Sequence, residues 1–414
     1  MRTKMKCSVT AALLVIFSAG PALAEGTALT LADAITKARN QAPQLQSADA
    51  AMRAADANVG LSSLRANPTL AVEAENVLGS GRYAGFGGGE KTFSLSMPLE
   101  LGGKRGARVR VAEAERSAAR IGTQVARANL TLQITEAFVT LAASERYVEI
   151  AKASHALAER AHHAARERVR VGKASPIEEQ RADVLRINAE VRLDKALRAT
   201  RLAGATIARL TGAAMPVAIA STWFERTDAV VVGQPAVASL SLAAAEAELT
   251  AANARVDAAK RDRIPDVTLT AGMRRYGESS EKAAVLALSV PLPLFNPGTA
   301  AIARSRAEYD RASAARRAVA LEFEQSTAQA ETEVADALAA ARAANGPALA
   351  AAEEAARIAR IGYAEGKFPQ LELIEAERSL AETRETSVDA LAALHTARAR
   401  LARLQGSNSP IYKD

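Results

Sequence analysis

The chain has 414 residues, a formal charge of +7 and four per cent aromatic residues. Its 53 basic and 46 acidic residues are interspersed, which is typical of solvated helix faces and argues against nucleic acid as a partner. Alanine, the residue with the highest helix propensity, is abundant, so we expect an extended helical bundle and not a compact aromatic core.

The first 24 residues are typical of a secretory signal peptide. Arg2, Lys4 and Lys6 precede a short apolar run, and a small-residue cleavage site follows. The mature chain is expected to begin at Glu25, without the only cysteine, Cys7. No later segment approaches the roughly 20 apolar residues that a membrane helix needs, so strands would have to carry this chain into a membrane.

The sequence contains an internal repeat with an offset of about 194 residues. Arg209-Leu210-Thr211-Gly212 recurs as Arg403-Leu404-Gln405-Gly406, and Gly172-Lys173 recurs as Gly366-Lys367. This period is too long for a solenoid and indicates a duplicated, domain-sized unit. We expect a first repeat over 25–212, a linker over 213–237, a second repeat over 238–406 and a C-terminal tail over 407–414.

Each repeat is predicted to contain a helix, two strands, a long helix and a final helix. The first helix is expected over Leu31 to Leu64, and an uninterrupted helical pattern from Lys104 to Val171 would span roughly 100 Å. Asn345-Gly346-Pro347 is expected to break or kink the long helix of the second repeat. Alternation with period two predicts strands at about 67–76, 91–101, 266–275 and 283–294.

Segments of about ten residues that alternate between apolar and polar side chains are typical of membrane barrels. Four strands cannot close a barrel, since the smallest bacterial barrels have about eight, and an open edge cannot face lipid. Several chains would have to pool their strands. Two chains would supply eight strands and three would supply twelve, and sequence alone leaves both open. The alternative from another class is a periplasmic structural coiled coil with soluble strands.

The duplicated order of elements resembles the TolC-type outer-membrane efflux factors over essentially the whole mature chain. The strand-to-helix junctions, Pro98 to Arg105 and Val290 to Asn296, resemble those of the CzcC-like cobalt–zinc–cadmium (heavy-metal) resistance branch. The resemblance implies a mainly α protein with a membrane β-barrel part. It implies a homotrimer in which a 12-stranded β-barrel in the outer membrane stands on a long periplasmic α-helical barrel.

The resemblance further implies a channel in outer-membrane lipid, not an enzyme, that needs no cofactor. Its expected partners are a periplasmic adaptor (membrane-fusion) protein and an inner-membrane resistance-nodulation-division pump. The channel would pass heavy-metal cations from these partners to the exterior. Drug efflux and type I protein secretion are the alternatives within the same family.

Functional positions are implied at the periplasmic ends of the helical hairpins. Tyr363 and Glu178 match a hydrogen-bonded pair that latches the closed tip in relatives, although Phe368 stands where some relatives have an arginine of the latch. Glu372 and Glu375, at i and i+3, match acidic residues that line the entrance, where a carboxylate ring would favour cations. The tip turns expected to contact the adaptor contain Val171, Gly172, Lys173, Ala174, Ser175, Gly366, Lys367, Phe368 and Pro369.

Neither a catalytic site nor a metal site is expected. No nucleophile lies near a base and an orienting group in any recognisable pattern. His155, His162 and His163 fall on the long helix, but His155 and His162 are seven residues apart. Metal-binding pairs on a helix are normally three or four residues apart, so we interpret these histidines as solvated helix residues.

Overall fold

The computed structural model describes residues 28–215, 217–228, 239–277, 279 and 281–406. The predicted signal peptide over 1–24, the start at Glu25, the tail over 407–414 and residues 216 and 229–237 of the predicted linker lie outside the described residues. Within the described ranges, no helix is both long enough and apolar enough to cross a membrane.

The two halves of the chain contain the same order of elements, except that the first helix is divided in the first half and the long helix is divided in the second. The first half comprises α1 (Leu31–Gln41), α2 (Pro43–Ser62), β1 (Thr69–Glu75), β2 (Glu90–Leu99), α3 (Lys104–Arg170) and α4 (Pro176–Thr211). The second half comprises α5 (Leu240–Asp262), β3 (Val267–Arg275), β4 (Lys282–Ser289), α6 (Thr299–Ala343), α7 (Leu349–Ala364) and α8 (Gln370–Leu404). With 67 residues, α3 extends over roughly 100 Å.

Two predicted elements end or break at prolines. The helix expected over Leu31 to Leu64 is two helices, because Ala42, which precedes Pro43, has an extended backbone (φ −64°, ψ 120°). The strand expected to reach about residue 294 ends at Ser289. Pro291 and Pro293 have no N–H to donate to a neighbouring strand, so the chain leaves the sheet before them.

The long helix of the second repeat is kinked where the sequence predicts it. A short π-helical segment, Ala344–Ala348, joins α6 to α7, and Gly346 within it has non-helical angles (φ −113°, ψ −106°). Pro347 cannot donate the helical hydrogen bond at this point, which explains the local change of pitch. The Oγ of Ser387 on α8 lies 3.1 Å from Oδ1 of Asn345, so the kink is held against its neighbouring helix.

The four strands form one antiparallel sheet in the order β1-β2-β3-β4. Its central pair joins the two repeats, with Leu95 opposite Ala271. The two faces differ sharply: Thr92 and Ser94 are 3% and 9% exposed, whereas Phe93 and Leu95 are 53% and 51% exposed. On β2 the polar side chains are therefore covered and the apolar side chains face outward, whereas on the edge strands polar residues such as Glu73 and Ser289 are also exposed. The outer edges of the sheet, β1 and β4, have no strand beside them in the described chain.

The main core lies midway along the long helices and not next to the sheet. Phe138 of α3 stacks on Trp223 at 5.9 Å between ring centroids, and His395 of α8 meets the Trp223 ring edge-on at 4.9 Å. The Nε2–H of His395 donates to the carbonyl oxygen of Phe224 at 2.7 Å. The inter-repeat segment thus supplies the aromatic centre on which both long helical hairpins pack.

The long helices are arranged so that α4 and α7 lie at opposite edges. Helix α3 packs against α4 and α8, and α8 packs in turn against α6 and α7. Exposed apolar side chains follow both edges. On α4 they recur every seven residues, at Ile177, Val184 and Val191, which are 56–61% exposed. On α7 they are Ile358 and Ile361, both nearly half exposed.

Candidate functional site

The tip of the first hairpin is a short turn between α3 and α4. Gly172 has φ +72°, a left-handed conformation that glycine adopts without strain, and a Cβ built on it would meet no atom within 4 Å. The amide of Lys173 donates to the carbonyl of Arg168 at 2.8 Å, and the Ser175 hydroxyl caps α4 by accepting from Ile177. Val171 is 54% exposed. The turn therefore presents an open backbone with one apolar side chain.

The tip of the second hairpin repeats this backbone but carries a different surface. Gly366 also has φ +72° with open space around it, and the amide of Lys367 donates to the carbonyl of Gly362 at 2.7 Å. The ring of Phe368 lies against Gly362 so closely that a Cβ at Gly362 would be 2.2 Å from it. In the first tip, the residues equivalent to Phe368 and Gly362 are Ala174 and Arg168, respectively. The two tips are thus alike in backbone and different in side chains.

The two residues of the predicted latch lie near the two tips. Glu178, in the first turn of α4, has its Oε2 4.0 Å from a guanidinium nitrogen of Arg168. Tyr363 lies in the last turn of α7, half-buried. Within the described part of one chain no hydrogen bond joins Tyr363 to Glu178, so a latch formed by this pair stays a prediction about contacts between chains.

Glu372 and Glu375 lie at the start of α8, directly above the second tip. Both side chains are exposed and share one face of the helix. The amide of Glu372 donates to the carbonyl of Pro369, and the helix N-terminus favours its negative charge. The Glu375 carboxylate contributes to raising the pKa of Arg378, although the hydrogen bond from Arg378 to Glu382 is the main cause. Both carboxylates are therefore exposed in one chain, and their position around an entrance stays a prediction about the assembled channel.

Sequence reasoning missed a carboxylate just above the same tip. Glu377 is only 9% exposed, and both of its oxygens accept from the guanidinium of Arg360 on α7. This hydrogen-bonded pair raises the pKa of Arg360 and ties α7 to α8. The equivalent position in the first repeat is Asp183, which accepts from Arg186 at 2.9 Å. The 194-residue offset aligns the two acidic residues, but it does not reveal the partner Arg360 on another helix that buries Glu377.

His155 and His162 of α3 contact different acidic residues. His155 is 3.9 Å from Glu159, and His162 is 3.9 Å from Asp183. Among the described residues, no group of three or more histidine, cysteine, aspartate or glutamate side chains is close enough to hold a metal ion.

The junctions between the sheet and the long helices are held by ion pairs. Lys104, at the start of α3, lies 2.9 Å from Asp266, which precedes β3. The guanidinium of Arg108 donates to both oxygens of Glu100, just after β2, and lowers the pKa of that carboxyl. These contacts fix the direction in which α3 leaves the sheet.

Comparisons with known proteins agree with this architecture. The family model described as "Outer membrane efflux protein" matches residues 34–213 and 232–407. The cobalt-zinc-cadmium resistance protein CzcC of Cupriavidus metallidurans is 28% identical over 386 residues, which cover 91% of this chain and 90% of CzcC. The nickel and cobalt resistance protein CnrC of the same organism is 33% identical over 257 residues, which cover 62% of this chain and 61% of CnrC.

A solved structure has the same fold. The outer membrane protein VceC of Vibrio cholerae superimposes with a TM-score of 0.76, covering 91% of this chain and 96% of VceC at 22% identity. The predicted fold class is confirmed by this likeness and by the family match.

Proposed function

Because the chain belongs to the outer membrane efflux protein family, we propose that three copies form the outer-membrane channel of a tripartite system that exports heavy-metal cations. The observation that carries this proposal is the four-stranded sheet, whose apolar face is exposed and whose two outer strands have no further strand beside them among the described residues. Such a sheet is stable in lipid only when its edges are paired. Pairing β4 of one copy with β1 of the next closes a barrel, and three copies supply twelve strands.

The helical edges support closure in the same direction. The α4 edge and the α7 edge lie on opposite sides of the chain, and each exposes apolar side chains. The exposed apolar row of α4, which includes Val184, would pack against Ile358 and Ile361 of the next copy. This contact would remove both sets of side chains from water. Each fully buried side chain of this size contributes about 1.5–3 kcal/mol. The helices would then enclose a periplasmic passage continuous with the barrel.

The two tips are the proposed contacts with a periplasmic adaptor protein. They lie at the end of the molecule opposite the sheet, and their glycines leave the backbone open to close approach. The adaptor would connect the channel to an inner-membrane resistance-nodulation-division pump that supplies the energy. The channel itself then provides a passage and performs no catalysis.

The cargo is inferred from two features. Cobalt, zinc, cadmium and nickel appear in the names of the similar proteins CzcC and CnrC. Glu372 and Glu375 are exposed beside the second tip, where three copies would place six carboxylates around the entrance. Rings of carboxylates favour cations over anions. A passage for divalent metal ions fits both features better than one for neutral drugs or for unfolded polypeptide.

The test is a transport assay in bacteria that lack their own metal-exporting channel but retain the matching adaptor and pump. Restored growth on zinc, cobalt or cadmium, with lower metal content in the periplasm, is the expected result. Restored resistance to dyes and detergents without any effect on metals would favour drug efflux. Export of a polypeptide alone would favour type I secretion, and either outcome would overturn the proposed cargo while leaving the channel intact.

A further inference from the structure

The apolar face of the sheet ends, on the side of the hairpin loops, in a row of three cations. Lys91 of β2 lies opposite Arg275 of β3, and Arg275 lies opposite Lys282 of β4. Counting in twos along each strand, the three residues belong to the same face as Phe93 and Met273. All three side chains are exposed. We call Lys91, Arg275 and Lys282 the cationic row.

The cationic row destabilises the sheet as long as its charges are not neutralised. Like charges directly opposite each other on neighbouring strands destabilise a sheet. On the other face, Arg274 is balanced by Glu90 and Glu75, at 2.9 and 2.7 Å. The cationic row has no such balance, since no carboxylate among the described residues lies within ion-pair distance of it. Neighbouring residues of one strand, Arg274 and Arg275, therefore differ in whether the protein neutralises their charge.

The position of the cationic row indicates what could neutralise it. Leu99, at the helix end of β2, is eight residue steps along the strand from Lys91 near its loop end. At about 3.4 Å per residue this is roughly 27 Å along the strand. With the strand tilt of about 40° found in barrels, it becomes about 20 Å along the membrane normal, close to the height of an apolar barrel band. The cationic row therefore lies where hydrocarbon gives way to lipid headgroups.

The hairpin loops point away from the helices, so this headgroup layer belongs to the leaflet that faces the cell exterior. In bacterial outer membranes that leaflet carries phosphorylated glycolipid. We propose that the cationic row binds the phosphate groups of this glycolipid and so anchors the barrel in the outer leaflet. Arg275 suits bidentate contact with a phosphate, and the flanking lysines add mobile point charges. The inference rests on the proposed function for the orientation of the sheet.

The test compares lipid binding by the purified trimer and by the triple variant K91Q/R275Q/K282Q. Native mass spectrometry would titrate each with lipid A carrying two phosphates and with the same lipid after enzymatic dephosphorylation. The expected result is that the triple variant binds the phosphorylated lipid roughly tenfold or more weakly, since each exposed charge pair contributes modestly. Both proteins should bind the dephosphorylated lipid equally.

Two further variants keep the result decisive. R120Q/K152Q/R311Q removes the same charge from exposed positions of α3 and α6, outside the α4 and α7 edges, and should bind phosphorylated lipid as the wild type does. K91R/R275K/K282R keeps the charge and should retain binding; if the glutamine triple fails to trimerise, the three single variants replace it.

Equal affinity of wild type and triple variant for phosphorylated lipid would overturn the inference. So would displacement of the lipid by millimolar inorganic phosphate, because the cationic row would then be a general anion site. Conductance of the wild-type trimer in planar bilayers is recorded in parallel. A trimer that conducts but shows no preference for phosphorylated lipid refutes only the lipid contact, whereas failure to insert and conduct refutes the proposed channel.

Discussion

Replacing Leu286 by arginine places a charge at the centre of the proposed lipid-facing surface. Leu286 is 82% exposed and lies in one row with Leu70, Leu95 and Ala271, the third of five rows between the helix end and the loop end of the sheet. Arginine at the bilayer midplane of a barrel costs about 2–4 kcal/mol, and near the interface about 0–1 kcal/mol. Since a trimer carries the substitution three times, we expect a total cost of roughly 6–12 kcal/mol.

Neighbouring positions supply matched controls. Ala287→Arg places the same charge one residue away on the opposite, polar face, where it is expected to be tolerated. Ala284→Arg lies one row nearer the loops on the apolar face and should cost less than Leu286→Arg. The assay is the amount of heat-modifiable trimer in isolated outer membranes, together with the denaturant midpoint of unfolding in phospholipid vesicles. Equal loss for Leu286→Arg and Ala287→Arg, or no loss for Leu286→Arg, would refute the assignment of the two faces.

The helical part of the molecule can be tested at its tips, in its core and at its entrance. Valine at Gly172 or Gly366 strains a positive-φ turn by about 1–2 kcal/mol, but its side chain meets no neighbouring atom. Metal export should therefore be lost while the amount of trimer, quantified on native gels, stays unchanged. Loss of the trimer would instead indicate that the turn has a purely structural role. Burial lowers the pKa of His395 from 6.5 to about 4. The unfolded chain therefore binds a proton that the folded chain excludes, and stability should fall by up to about 3 kcal/mol per copy as the pH decreases from 6.5 to 4. Unfolding midpoints across this range should show the slope in the wild type and a flatter one in His395→Gln. Cation preference, measured as reversal potential in a salt gradient, should weaken in the double variant Glu372→Gln/Glu375→Gln, and an unchanged potential would place these residues outside the pore.

Much of the fold could be predicted because its signals are local. Alanine-rich helical periodicity predicts α3 to within a residue at its C-terminal end, and alternation of side chains predicts the strands. The errors occur at prolines. Pro43 divides one predicted helix into two, and Pro291 ends β4 five residues before the predicted boundary at 294. At Pro43 the steric restriction on the preceding residue outweighs a favourable pattern of apolar side chains, and at Pro291 the missing N–H does so.

Within the candidate site, residues marked by a local pattern were predicted, and a residue that depends on another helix was not. Gly172 and Gly366 were identified because a break in a long helical pattern is visible in the chain itself, and their positive φ angles agree with that. Glu377 was not identified because its burial depends on Arg360, which lies on another helix. The role of the tip residues and of the acidic pair remains a prediction, since it depends on contacts between copies and with partners.

Helix and strand segments, the duplication of the chain and the side chains that share a face of each strand could all be inferred from the sequence alone. These properties follow from backbone propensity and from the fixed side-chain periods of helix and strand. The order of the strands, and the register that sets Lys91, Arg275 and Lys282 in one row, depend on the folded chain. So does the meeting of Trp223 and His395 in the core midway along the helices. Register and packing join residues nearly two hundred positions apart, and no local pattern in a sequence specifies which distant partner a side chain will meet.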